Sequence, residues 1–188
     1  MEKIYQYYKQ AFNISDEDWI IFSSKLIKQT FKKKSPILKA GETEKYLSFI
    51  DEGITRFYVP REDYDFTIGF TFTNSFFSVY DSFLTQSPST YAAEAITNTV
   101  LWRLTYDDLQ TVYAETEIGN LIGRKAAEQL YLFKAQREFS LLNKSAEERY
   151  LDLFEIRPEL IKYIPLKYIA SYIGVTPQAL SRIRRRIT

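Results

Sequence analysis

The chain has 188 residues, 45% hydrophobic and 26% charged, which suits one medium folded domain or a larger domain with a small one. It contains no cysteine and no histidine. That excludes disulfides, cysteine-held iron–sulfur clusters and thiol nucleophiles, and removes the usual general base and the commonest metal ligand, so no catalytic residue, metal or cofactor is expected. The net charge of +1 conceals an asymmetry: Ile161 to Thr188 carries Lys162, Lys167, Arg182, Arg184, Arg185 and Arg186 and no acid, and taking this +6 from the total leaves −5 for the rest. Such a split points to nucleic acid or an acidic partner.

The opening stretch, "MEKIYQYYKQAF", places charges and tyrosines where a signal peptide needs an apolar run. No apolar run approaches the roughly 18 residues that span a bilayer. A cytoplasmic chain without membrane contact is expected. Three capping boxes mark helix starts: Ser15 with Asp18, Thr105 with Asp108 and Ser145 with Glu148. In each, the hydroxyl accepts from a free backbone N–H of the first turn, and the acid favours the positive helix end. Between residues 27 and 104 the runs "KYLSFI", "ITRFYV", "DFTIGFTF", "YAAEAI" and "VLWRL" favour β-branched and aromatic residues. Turn residues at 35–36, 40–42, 51–53, 61–65 and 86–89 separate them. Short strands at this spacing predict an antiparallel sandwich or barrel.

A long helix is predicted from Glu117 to Leu142, where Ile118, Ile122, Ala126, Leu130, Phe133 and Leu141 recur at helical spacing. At about 1.5 Å per residue such a rod outruns a small barrel, and a second copy of the same helix is the simplest cover for its excess apolar stripe. Gly119 and Gly123, four apart, would let two such helices approach closely, although in a soluble chain that spacing also arises without a helix pair. Arg137 interrupts the stripe and argues against a regular coiled coil. Asn143 and Lys144 read as a hinge. A helix over 146–156 follows, then Pro158, a further helical turn and Pro165.

"LKYIASYIGVTPQALSRIRRR" reads as two helices with a tight turn. Ile169 and Ile173 share a face of the first, and Ala170 lies where the second crosses. Gly174 takes the left-handed conformation that ends a helix, and Val175 plugs the corner. Thr176 caps the second helix, Pro177 occupies its first position, and Leu180, Ile183 and Ile187 turn inward. This is the helix-turn-helix arrangement; an ordinary helical hairpin accounts for the core residues but not for the outward face. That face carries Gln178, Ser181, Arg182 and Arg185, whose chemistry suits a major groove: glutamine pairs with adenine, arginine with guanine. Arg184 and Arg186 suit phosphates, and Lys167, Tyr168 and Thr176 the sugar–phosphate backbone near the helix entrances. The sequence leaves open which arginine reads a base.

A strand-rich domain, long helix, hinge and helix-turn-helix, in that order, resemble the cyclic-AMP receptor protein / fumarate-nitrate-reduction regulator (Crp/Fnr) family of bacterial transcription factors. "SAEERYLDLFEIRPELIKYIPLKYIASYIGVTPQALSRIRRRI" looks especially like members from the Bacteroidetes group. The resemblance implies an α+β chain: a cyclic-nucleotide-binding-like jelly-roll β-barrel over 1–116, a dimerisation helix over 117–142 and a helix-turn-helix DNA-binding domain over 143–188. The latter is of winged-helix type, with its wing expected to be missing or truncated because the chain stops at Thr188. It implies a homodimeric, sequence-specific regulator on a pseudo-palindromic double-stranded operator. RNA polymerase and an unidentified small-molecule effector are further partners the family admits. The family's base-contacting positions fall on Pro177, Gln178 and Arg182. Proline has no side-chain donor, Gln178 stands for a family glutamate and shifts preference from cytosine towards adenine, and Arg182 keeps the guanine contact.

The family's phosphate-binding cassette has a Gly-Glu pair and, further on, an Arg followed by Ser or Thr. In "NSFFSVYDSFLTQSPSTYAAEA", Ser78-Val79 stand at the first pair and Ser89-Thr90 at the second, so both charged ligands are gone. Burying a cyclic phosphate without a countercharge costs several kcal/mol, and tight cyclic-AMP binding is not expected. Either a less charged ligand is lined by Tyr80, Phe83, Tyr91 and the hydroxyls of Ser78, Ser89 and Thr90, or the barrel is filled by its own aromatic side chains. The rival to the whole reading is a ligand-sensing or protein-binding module whose DNA-binding domain is degenerate.

Overall fold

The first dozen residues form helix α1 (Glu2–Phe12), which buries Ile4 and Tyr8 one turn apart and closes on Asn13 in the left-handed region. The sequence reading assigned no element here. The structure, a computed structural model, describes residues 1–187. Helix α2 (Asp16–Ser24) starts as expected, with the Ser15 hydroxyl accepting from the Asp18 amide at 3.1 Å.

Eight strands follow: β1 (Ile27–Phe31), β2 (Pro36–Leu38), β3 (Tyr46–Glu52), β4 (Ile54–Val59), β5 (Phe66–Phe72), β6 (Phe76–Phe77), β7 (Ala92–Ala95) and β8 (Thr99–Thr105). They form two four-stranded sheets, ordered β1-β8-β3-β6 and β2-β7-β4-β5. That order is a double-sheet jelly roll. The short helix α3 (Tyr80–Thr85) sits between β6 and β7, and α4 (Tyr106–Glu115) follows β8, capped by the Thr105 hydroxyl.

The sheet containing β8 is covered on both faces, which explains why "VLWRL" lacks clean alternation. Leu101 joins Leu38, Ile50, Phe77, Val79 and Ala93 in one cluster. Leu104 packs with α1, α2 and α4 through Ile4, Tyr8, Phe22, Leu109 and Val112 in another, on which Trp102 also packs.

Helix α5 (Gly119–Asn143) begins on a cap supplied from far away: the buried carboxylate of Asp18 accepts from the amides of Glu117 and Ile118 at 3.3 and 3.1 Å. The two glycines of its first turns serve the chain itself. A Cβ on Gly119 would stand 2.5 Å from the Thr116 hydroxyl and 2.7 Å from the Val112 carbonyl, and one on Gly123 would stand 2.5 Å from the Tyr113 phenol oxygen. The spacing that suggested a close approach of two helices is taken up by α4.

By its contacts the chain forms two units, residues 1–60 with 69–126 and residues 61–68 with 127–188. In the second, α6 (Ala146–Ile156) opens with the full capping box of Ser145 and Glu148. Then come α7 (Pro158–Tyr163), α8 (Leu166–Tyr172) and α9 (Pro177–Ile187). Tyr150, Leu153, Leu160, Ile164, Ile169, Ile173, Leu180 and Ile183 are buried as the core of these helices.

Candidate nucleic-acid interface and ligand cassette

Helices α8 and α9 realise the predicted pair. Gly174 has φ +80° and ends α8, with the Val175 amide donating to the Ala170 carbonyl at 2.9 Å. Val175 is half-buried at the corner. The Thr176 hydroxyl accepts from the Ala179 amide at 3.2 Å and caps α9, and Pro177 fills its first position without wasting an N–H. Leu180 and Ile183 are buried and Ile187 half-buried, which fixes the rotation of α9 and turns its polar residues out.

Gln178, Ser181, Arg182 and Arg185 are all exposed, at the helical spacing of one face. Arg184 is exposed as well. Arg186 is exposed but pairs with Glu147 of α6 at 2.8 Å, an ion pair open to water and worth little. Lys167 is exposed, with its ammonium 4.7 Å from the centre of the Tyr168 ring. The last turn of α9 carries Arg184, Arg185 and Arg186, the sign the negative helix end favours. What sequence reasoning missed is the set of groups that hold the turn. The Arg149 guanidinium donates to the Ile173 carbonyl at 2.9 Å and to the Lys144 carbonyl. Arg137 donates to the Tyr172 carbonyl at 2.8 Å. The interruption of the apolar stripe at Arg137 thus has an inward purpose, and no periodicity in α5 signals it.

The cassette is internally satisfied. Val79 is fully buried, and the Ser78 hydroxyl donates to the Tyr46 carbonyl at 3.0 Å. Ser89 is buried; its hydroxyl donates to the Tyr91 carbonyl and accepts from the Tyr91 amide. Thr90 is exposed. Tyr80 is half-buried and stacks on the buried Phe83 with ring centres 6.2 Å apart. Tyr91 packs edge-on to Phe57, which stacks on Phe77 at 5.0 Å. The Tyr91 phenol donates to the Asp81 carboxylate at 2.5 Å, and burial first, then this bond, pushes its acidity far down.

A buried polar group that sequence reading did not foresee stands beside the cassette. Arg103 of β8 pairs with Glu44 at 3.2 Å, and its guanidinium also donates to Gln29 at 2.6 Å and Ser48 at 3.1 Å. It lies 4.1 Å from the centre of the Tyr46 ring. Burial pushes the Glu44 carboxyl above its ordinary range, opposed by Arg103 and by backbone amides that include Val79. The Glu44 amide donates to Ser82 of α3 at 3.0 Å.

Residues 28–116 match the family of the cyclic nucleotide-binding domain. Across nearly the whole chain, a putative transcriptional regulator of the Crp/Fnr family from Eubacterium rectale superposes with a TM-score of 0.73 at 17% identity, covering 96% of this chain and 87% of that one. The chain has the Crp/Fnr fold. FixK2 from Bradyrhizobium japonicum has the same fold at a TM-score of 0.72 and 18% identity, covering 86% of this chain and 84% of its own. The global regulator CLP of Xanthomonas campestris, which responds to c-di-GMP, reaches 0.71 at 13% identity, covering 92% and 91%. No curated protein matches the sequence. The Crp/Fnr fold explains the order of parts: a β-domain, a long helix, then a compact head of short helices ending in α8 and α9. Among the described residues no helix is long and apolar enough to cross a membrane, and no cluster of acids could hold a metal ion.

Proposed function

We propose that the chain is a homodimeric, sequence-specific DNA-binding transcription regulator of Crp/Fnr type that does not respond to cyclic AMP. The observation that carries the reading is the outward face of α9. Gln178, Ser181, Arg182 and Arg185 stand exposed on a helix whose other face is held by Leu180 and Ile183, and no acid interrupts them. An amide and two guanidinium groups on one helix face are the donors that read base edges in a major groove. The match of fold to Crp/Fnr regulators supports the same reading.

A second copy is the partner for α5. The apolar residues named from the sequence are half-buried within the chain, while Tyr131, Leu132, Phe139 and Leu142 are exposed, the last at 73%. Leu132, Phe139 and Leu142 fall at steps of seven and three, a seam that a second α5 covers.

Selection of bound duplexes from a random pool tests this. An enriched pseudo-palindrome with half-sites about one helical turn apart is expected; a pool that stays unenriched at low salt overturns the reading. Repeating the selection with cell extract exposes an effector. The cassette carries its own prediction. Its hydroxyls Ser78 and Ser89 are spent on backbone groups, and Arg103 beside it is committed to Glu44. Titration with cyclic AMP is expected to give no sub-micromolar binding, since a buried phosphate would lack a countercharge; saturation in that range contradicts it.

A further inference from the structure

We propose that Ser171 and Arg137 form a latch between the segment 61–68 and the helix-turn-helix corner, and that this latch sets the pose of α9. The inference rests on the DNA-binding reading and names the residues that position the reading helix.

Ser171 lies in the last turn of α8 and is 8% exposed. Its hydroxyl accepts from the Thr67 amide at 2.7 Å and donates to the Asp65 carbonyl at 2.6 Å. An amide and a carbonyl two residues apart are what a neighbouring strand would engage, so one serine hydroxyl plays the part of a strand at the start of β5. Arg137 takes the remaining main-chain group. One of its nitrogens donates to the Thr67 carbonyl at 3.1 Å and to the Tyr172 carbonyl at 2.8 Å, while its guanidinium lies 3.9 Å from the centre of the Tyr172 ring. With Arg149 on the Ile173 carbonyl, three consecutive residues of the corner are held from outside the helix pair.

The position matters because α9 begins at Pro177, only four residues past Ile173, and Gly174 alone absorbs the turn. Whatever orients residues 171–173 orients the recognition helix. Tyr64, Phe66, Ser171, Gly174, Val175 and Thr176 line a cavity of about 150 Å³ beside the latch. By chain continuity Thr67 lies two residues before Gly69, where β5 enters the first unit.

The test is Ser171→Ala in the full chain, with Arg137→Gln as a second variant and Ser171→Thr as the conservative control. In free protein, amide exchange at Thr67 is expected to quicken about tenfold, the worth of one buried hydrogen bond, while Leu180 and Ile183 keep their protection. On the selected duplex, Ser171→Ala and Arg137→Gln lose about tenfold in specific affinity, binding to a scrambled duplex stays unchanged, and Ser171→Thr retains both. Unchanged exchange at Thr67, or specific affinity that holds, rises or falls in step with scrambled-duplex binding, overturns the latch. If the wild-type chain selects no duplex, the DNA reading fails, and the exchange result alone decides whether the latch exists.

Discussion

Replacing Arg103 by alanine is expected to cost the β-domain about 3–5 kcal/mol, the usual consequence of stranding one member of a buried ion pair. Arg103 is 4% exposed and Glu44 1%. With the guanidinium gone, the Glu44 carboxylate keeps only backbone amides, that of Tyr46 at 3.0 Å among them, and loses its ion-pair partner. The loss should depend on pH in a defined direction. Burial raises the folded-state pKa of Glu44 above its ordinary value, and Arg103 is the largest influence holding it down. Removing Arg103 raises it further. A carboxyl whose folded pKa exceeds its unfolded value destabilises the fold at pH above the folded pKa, and this cost disappears as pH falls below the unfolded value. Urea unfolding of Arg103→Ala and wild type should therefore differ most near pH 7 and converge only as pH falls to about 4. Adding Glu44→Gln to Arg103→Ala should restore stability at neutral pH. A deficit that is flat with pH, or that the second change deepens, would show that Arg103 acts through packing on Tyr46 and Phe31 and not through its charge.

This pair also marks where the sequence stops being legible. "VLWRL" reads as a strand and is one, but nothing near Arg103 announces a partner 59 residues away. The glutamate sits just ahead of β3, among turn residues, and its meaning appears only when the sheet brings β3 beside β8. Strand β1 was missed for the opposite reason: Ile27 to Thr30 are all exposed on one edge of their sheet, so they carry no apolar alternation. Strand β6 has two residues, too few for any period. Helix α1 did carry a signal, Ile4 and Tyr8 four apart, but a run of tyrosines and charges masked it.

The head was more readable because its logic is local. Gly174, Thr176, Pro177, Leu180 and Ile183 specify the corner and the buried face within ten residues, and every one of them sits as its chemistry required. The three N-cap hydroxyls succeeded on the same ground, since a cap satisfies amides within one turn. The latch groups were invisible because they act across distance. Ser171 meets Thr67 across 104 positions, and Arg137 looked like an interruption because its partners are carbonyls, which any residue can supply. The spacing of the α5 glycines was ambiguous for a related reason: a spacing that admits a second helix equally admits the Tyr113 ring.

Among the exposed arginines, Arg182→Ala and Arg185→Ala should separate by the kind of binding each loses. Helix-turn-helix proteins meet base edges with the first turns of the recognition helix. Gln178 and Arg182 lie one turn apart in that half of α9, whereas Arg185 lies in the last turn beside Arg184 and Arg186. Arg182→Ala is accordingly expected to cost about 1–3 kcal/mol on the selected duplex and to relax selection at one position of each half-site, with the salt dependence of binding little changed. Arg185→Ala is expected to weaken all duplexes alike and to lower the slope of log affinity against log salt by about one per protomer, the counterion release of one phosphate. Arg186 already pairs with Glu147 at 2.8 Å, and whatever it gives a phosphate is reduced by the loss of that pair, so Arg186→Ala should move the slope less. Affinity measured across a salt series on selected and scrambled duplexes decides the matter. If Arg182→Ala weakens both duplexes equally while Arg185→Ala alters the selected sequence, the base-reading half of α9 is its C-terminal turn and the helix enters the groove the other way.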